Sequence, residues 1–305
     1  MNEVTDGRVD KERVRDLLEQ HHLSHVADRV VAAMKPSIFL SLVPQGGSMY
    51  DRVPRPETIP VGVSKVGGSP DLPPAFQWPE WNGEPLSFLA QIALPEVAAF
   101  DVEGLLPRTG MLYFFCDSTM EWLMSEDAEE TIQFVHYAED VSALERDEAS
   151  VSRREECDVF TPCLIAFRRQ WTVPNRSCAE IESLALMGEE EQRYWEAWML
   201  WDEQQPRPPL HRMLGCPDVM YNDGRYGCVS TETVTSEEWN SPGYIPAWVK
   251  RWGPEAGRCL PLFQIDTDRA AGLNWGDAGF IYYFIRPDDL QARRFNRVNA
   301  THEGH

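Results

Sequence analysis

Apolar residues between positions 10 and 34 recur at Val14, Leu17, Leu18, Leu23, Val26, Val30 and Met34. Steps of three and four gather them on one helical face. The spacing predicts an N-terminal amphipathic helix or helix pair, with Asp10 as its N-cap and the apolar face packed on the core. Lys35-Pro36 ends that period. Runs broken by Pro and Gly follow: a strand at 37–43 (S-I-F-L-S-L-V), a loop at 44–60, and a strand at 86–92 after the Asn82-Gly83 turn. Further strands are predicted at 131–137 and 158–171. A helical period returns near 179–204, with Ile181, Leu184 and Met187 before Gly188 and Tyr194, Trp198 and Trp201 after it. Each large apolar side chain contributes roughly 1.5–3 kcal/mol on burial, which accounts for this stripe as core without a bound ligand.

The strand-like parts contain an ordered self-similarity. Gly68-Ser69-Pro70-Asp71, Leu89-Ala90-Gln91-Ile92 and Gly110-Met111-Leu112-Tyr113 are matched, in the same order, by Gly215-Cys216-Pro217-Asp218, Leu262-Phe263-Gln264-Ile265 and Gly279-Phe280-Ile281-Tyr282. The expected fold is α+β, its mainly antiparallel sheet core built from two diverged strand-turn-strand repeats at about 60–116 and 210–290. The glycine ahead of each aromatic strand is expected to supply either a positive φ or room for close approach. The predicted organisation is a helical segment at 1–34, one α+β domain at 35–298 and a tail at 299–305.

Composition narrows the function classes. The chain is 43% hydrophobic and 11% aromatic, enough for a sizeable core. Its 28 basic and 49 acidic residues give a net charge of −21, which repels phosphate backbones and anionic lipid and attracts a basic protein. Neither nucleic acid nor a membrane is therefore expected as a partner. Seven cysteines without a C-x-x-C pair read as reduced thiols of a cytoplasmic protein. The N-terminal residues lack the apolar core of a signal peptide, and no apolar run is long enough to span a bilayer.

Candidate chemistry is sparse. Gln91 and Gln264 sit in otherwise apolar strands, where an unpaired amide costs roughly 1–3 kcal/mol; each is expected to tie down the facing G-x-P-D loop. Asp266, Asp268 and Asp277 bracket a short loop beside Trp275, and three converging carboxylates suit a hard cation. Turn-forming hydrogen bonds are the simpler role for them. His21 and His25, four apart on the predicted helix, share a face but lack a third metal ligand. His211 precedes the second G-x-P-D, and His136 falls inside a strand pattern. Cys116 and Cys216 have no evident base partner, and no nucleophile elbow, phosphate loop or dinucleotide fingerprint is present. No cofactor is predicted.

The ordered set S-K-V-G-G-S-P-D-L-P, P-L-S-F-L-A-Q-I, L-P-R-T-G-M-L-Y-F-F, H-R-M-L-G-C-P-D, L-F-Q-I-D-T-D and W-G-D-A-G-F-I-Y-Y-F-I resembles the YwqG-like family of bacterial proteins. The resemblance runs from about Lys35 to Phe295 and implies an α+β fold with no established activity; some relatives have been proposed as immunity proteins near toxin genes. It does not extend to the acidic segment around 121–156. The sequence is therefore read as a cytoplasmic binding protein that neutralises a basic partner. The alternative is a small-ligand receptor or enzyme whose pocket between the repeats is lined by Asp71, Gln91, His211, Gln264, Asp266, Trp275 and Asp277.

Overall fold

The first apolar period folds as two helices, α1 (Gly7–Gln20) and α2 (Ser24–Ala33), in a computed structural model that describes residues 7–45, 58–118, 133–147, 160–230 and 244–304. The break falls at His22, whose φ is 58°, and the Leu23 N–H returns to Leu18 O at 2.8 Å. Asp10 lies inside the first turn of α1 instead of at its N-cap. A carboxylate is favoured throughout that turn by the exposed N–H groups, so its presence does not mark the first residue. His21 is in the turn and His25 in α2, so the two do not share one helix.

The second helical period is also divided. Gly188, with φ 58°, separates the short α4 (Ala179–Glu182) from α5 (Glu189–Asp202). Tyr194, Ala197 and Trp201 of α5 bury against Val14 and Leu18 of α1 and Val26 and Val30 of α2. Trp198 packs at the margin of this cluster and donates its indole N–H to Val173 O at 3.1 Å.

The fold is α+β, and among the described residues the principal sheet has ten strands. Contacts divide the chain into two units. The first comprises Met1–Phe39, Arg168–Ile265 and Tyr282–Asp288; the second comprises Leu40–Phe167, Asp266–Ile281 and Asp289–His305.

In the first unit lie the leading half of β1 (Lys35–Pro44), the trailing half of β10 (Cys163–Thr172), and β11 (His211–Leu214). β12 (Leu260–Asp266) and β13 (Phe280–Ile285) complete the order β13-β12-β11-β1-β10. The β11–β12 pair is antiparallel, with Arg212 opposite Gln264.

In the second unit the order runs β1-β10-β2-β6-β7-β8, using β2 (Lys65–Val66), β6 (Ser87–Ala93), β7 (Met111–Cys116) and β8 (Gln133–Ala138). Lys65 stands opposite Gln91, and a register shift between Phe88 and Ala90 interrupts the β6–β7 ladder. Separate pairs join β3 (Asp71–Leu72) to β9 (Glu145–Arg146) and β4 (Glu80–Trp81) to β5 (Glu84–Pro85), and the short α3 (Leu94–Val97) follows β6. Phe88, Met111, Tyr113 and Phe115 form the core here, with Phe76 and Trp78 packed on it.

Two boundaries differ from the sequence pattern. Residues 160–162 do not join β10: the Thr161 N–H bonds to Ala271 O at 2.8 Å, and Pro162 has no N–H to offer a ladder. Residues 299–303, predicted as part of a tail, form β14 (Asn299–Glu303) beside β13. Of the acidic stretch 121–156, residues 121–132 and 148–156 lie outside the described residues, as do 131–132 and 158–159 of the predicted strands. Among the described residues, no helix is long and apolar enough to cross a membrane.

Candidate functional site

The G-S-P-D loop at 68–71 is held by a hydrogen-bond knot in the second unit. Gln91, buried on β6, accepts the Asp71 N–H on Oε1 at 2.8 Å and donates Nε2 to Val63 O and Asp71 Oδ2, each at 2.8 Å. Tyr113 on β7 donates its hydroxyl to Asp71 O at 2.6 Å. Lys65 donates Nζ to Ser69 O and reaches Asp71 Oδ1 at 3.5 Å. Arg146 lays Nε on the same Oδ1 at 2.8 Å, and the Gly62 N–H meets Oδ2 at 2.9 Å. Burial alone would raise the Asp71 carboxyl; hydrogen bonds from Arg146 and Gly62 and the charge of Lys65 outweigh it and hold the group below its ordinary range.

The G-C-P-D loop at 215–218 carries the same knot in the first unit. Gln264 accepts the Asp218 N–H at 3.0 Å and donates to Leu210 O at 2.9 Å and Asp218 Oδ2 at 2.7 Å. Tyr282 donates to Asp218 O at 2.7 Å. Arg212 takes the part of Lys65: Nη1 reaches Cys216 O at 3.4 Å, and Nη2 pairs with Asp218 Oδ2 at 2.5 Å. Both bases lie six positions before their aspartate. The backbone matches too, with positive φ at Gly67 and Gly68 in one loop and at Leu214 and Gly215 in the other.

The glycines before the aromatic strands divide the two expected roles between them. Gly110 has φ 90°, and a Cβ there would lie 2.5 Å from Ala138 O. Gly279 is not among the positive-φ residues, yet a Cβ would meet Trp275 O at 2.1 Å and Glu303 O at 2.6 Å. Close approach is the shared requirement; the unusual backbone belongs to Gly110.

These motifs fall inside a match to the family model described as a domain of unknown function, DUF1963, which spans residues 64–303. The chain belongs to the DUF1963 family. No curated protein matches it. The matched region begins at Ser64 and ends in β14, so both G-x-P-D loops, their glutamines and the last strand belong to the DUF1963 domain.

Other sequence candidates of the DUF1963 chain are dispersed. His211 is buried on β11, and Asp266 is buried at the end of β12. Asp268 accepts the Ala270 N–H at 2.9 Å and pairs by its backbone with Leu273, a turn role. Asp277 is exposed, and among the described residues Asp266, Asp268 and Asp277 do not bring their oxygens within 4.8 Å of one another. Trp275 is buried and stacks edge-on to Phe160 with centroids 5.7 Å apart; its carbonyl meets His302 Nε2 at 2.9 Å. His21 uses Nδ1 on Leu17 O at 2.8 Å, while His25 faces Glu190 at 3.3 Å. His136 packs edge-on to Phe76 at 5.1 Å, and burial lowers its pKa. Cys116 and Cys216 are buried; burial pushes the Cys216 thiol up to about 12, far from a ready nucleophile.

The sequence reading missed a second ion cluster in the first unit. Cys178, Glu180 and Asp223 bring ligand-type atoms within 4.8 Å of one another. The buried Arg225 already fills that space: its Nη1 and Nη2 fork onto Glu180 at 2.7 and 2.6 Å, and its Nε meets Asp223 Oδ1 at 2.9 Å. The donor set is therefore matched by a guanidinium, not a metal. An apolar cavity of about 10 Å³ between α1, α2 and α5, lined by Leu17, Val30, Tyr194 and Trp198, is too small for a metabolite.

Proposed function

We propose that this DUF1963 protein binds a basic protein partner, in the manner of an immunity protein that neutralises a cationic effector. The net charge of −21 carries the reading, because complementary charge accelerates encounter and suppresses anionic competitors. The outward face of α5 adds local support. Glu189 and Glu196, with Glu203 at the C-cap, recur at helical spacing beside Met199 and Leu200, both more than a third exposed. An acidic face with exposed apolar side chains suits a basic amphipathic segment.

The six described cysteines are all buried as thiols and not as disulfides, which supports a reducing, cytoplasmic setting. The resemblance to YwqG-like proteins supports a bacterial origin and the immunity-type context.

A pull-down from native lysate with the purified chain as bait tests the reading. A basic protein retained at low salt and released at high salt is the expected result. Recovery of no basic protein above background overturns it.

A further inference from the structure

The two loop knots are made of the same parts but are closed differently. In the first, Arg146 lays Nε on Asp71 Oδ1 at 2.8 Å with Nη2 3.4 Å from Oδ2, and the carboxylate is wholly buried. In the second, Gln264 and Arg212 both approach Asp218 Oδ2, and among the described residues no hydrogen bond reaches Oδ1. The Asp218 side chain is 20% exposed where that of Asp71 is 0% exposed. Among the described residues, the second knot thus has no counterpart of Arg146.

Charge runs the same way. Asp71 has two cations against it, Lys65 and Arg146. Among the described residues Arg212 is the one cation paired with Asp218, and the partly buried Asp202 feels the charge of Asp218. Burial first, and Asp218 second, raise the Asp202 carboxyl, against the pull of Arg212 and Arg207. Arg207 is exposed and forms no ion pair with either acid among the described residues.

We propose that Asp218 and Asp202 form the docking position for an arginine side chain of the basic partner, its guanidinium taking on Asp218 the place that Arg146 takes on Asp71. This rests on the proposed reading and deepens it. A planar guanidinium can approach the open edge of a carboxylate whose other oxygen is already engaged, as Arg146 does beside Gln91 and Lys65. A compact dication would instead meet the fixed charge of Arg212 at close range. An ammonium would satisfy only one oxygen and surrender more hydration.

The test titrates the full chain with Nα-acetyl-arginine methylamide by calorimetry, using the citrulline analogue, equal in shape but uncharged, as the control. Saturable millimolar binding of the arginine probe alone is expected. Asp202→Asn, which leaves the knot's own hydrogen bonds in place, should weaken it by about threefold to fivefold. Arg146→Ala should open a second site on Asp71, insensitive to Asp202→Asn; if that variant does not fold, the Asp202→Asn comparison still decides. Equal binding of the two probes, no saturation by about 50 mM, or an affinity indifferent to Asp202→Asn overturns the assignment. If the arginine probe binds at Asp218 but lysate yields no basic protein, the partner reading falls and the site stands. If a basic partner is captured and binds Asp202→Asn as tightly as wild type, the site falls and the reading stands.

Discussion

Gln91 lies directly opposite Lys65 in the β2–β6 register, and from there its amide closes on Asp71, as Gln264 opposite Arg212 closes on Asp218. A strand position has thereby been given to a group whose hydrogen bonds all leave the strand. Each glutamine satisfies a loop N–H, a loop carbonyl and a carboxylate that the turn would otherwise bury unpaired.

Truncating either glutamine should therefore lower stability. Gln91→Ala leaves the Asp71 N–H and Val63 O without their partner, at roughly 1–3 kcal/mol for each group that water cannot reach. Urea unfolding monitored by tryptophan fluorescence should show a lower midpoint for Gln91→Ala and for Gln264→Ala. A midpoint equal to wild type would mean that the loops hold without the amide.

Asp71 gives a pH signature. Its folded-state pKa is depressed, so its ionised form stabilises the fold. That contribution is fully present above the unfolded value of about 4 and is lost as pH falls through the lower folded value. Asp71→Asn should be less stable than wild type at neutral pH, and the gap should narrow on acidification below about pH 4. A gap independent of pH in that window would assign the loss to shape, not charge.

Arg225 neutralises two carboxylates at once, so removing it leaves Glu180 and Asp223 facing each other. Arg225→Ala should cost about 3–5 kcal/mol, the range for breaking a buried ion pair from one side. Arg225→Lys should recover only part of it, because an ammonium cannot fork onto Glu180 while meeting Asp223. Full rescue by lysine in thermal melts would show that charge alone suffices.

Gly279→Ala isolates sterics, since the position lacks a positive φ and a methyl would fall 2.1 Å from Trp275 O. Circular dichroism melts should show a loss larger than for Gly83→Ala, where a Cβ meets nothing within 4 Å and only the φ of 84° is strained. The reverse order would mean that this turn yields easily.

Much of this architecture was written locally. Helical period placed α1, α2 and α5 because one buried face recurs every turn, and the matched G-x-P-D, Gln and Tyr positions exposed the two knots because each needs the same donors. The cations stayed hidden. Lys65 and Arg212 are different residue types, and only their common six-residue distance to an aspartate could have flagged them. Arg146 was less accessible still, since it meets Asp71 through the β3–β9 pairing of segments far apart in the chain. The Arg225 cluster likewise joins Glu180 to Arg225 across 45 positions, a relationship no local period encodes. β14 was missed because N-A-T-H-E alternates neither apolar nor aromatic residues; it is a strand through its neighbour β13.

The turn at Gly215 bears on how the first unit comes together in time. A Cβ there would lie 2.5 Å from Ser37 Cβ and 2.9 Å from Thr172 Oγ1, residues remote in sequence and carried by β1 and β10. Such a fit exists only once those strands have met, and contacts between segments so far apart are expected to close late in folding. Crowding introduced by Gly215→Ala should accelerate unfolding in stopped-flow traces while leaving the refolding limb almost unmoved. A tight turn of this kind acts as a latch on the native state, governing how long the molecule stays folded more than how quickly it arrives.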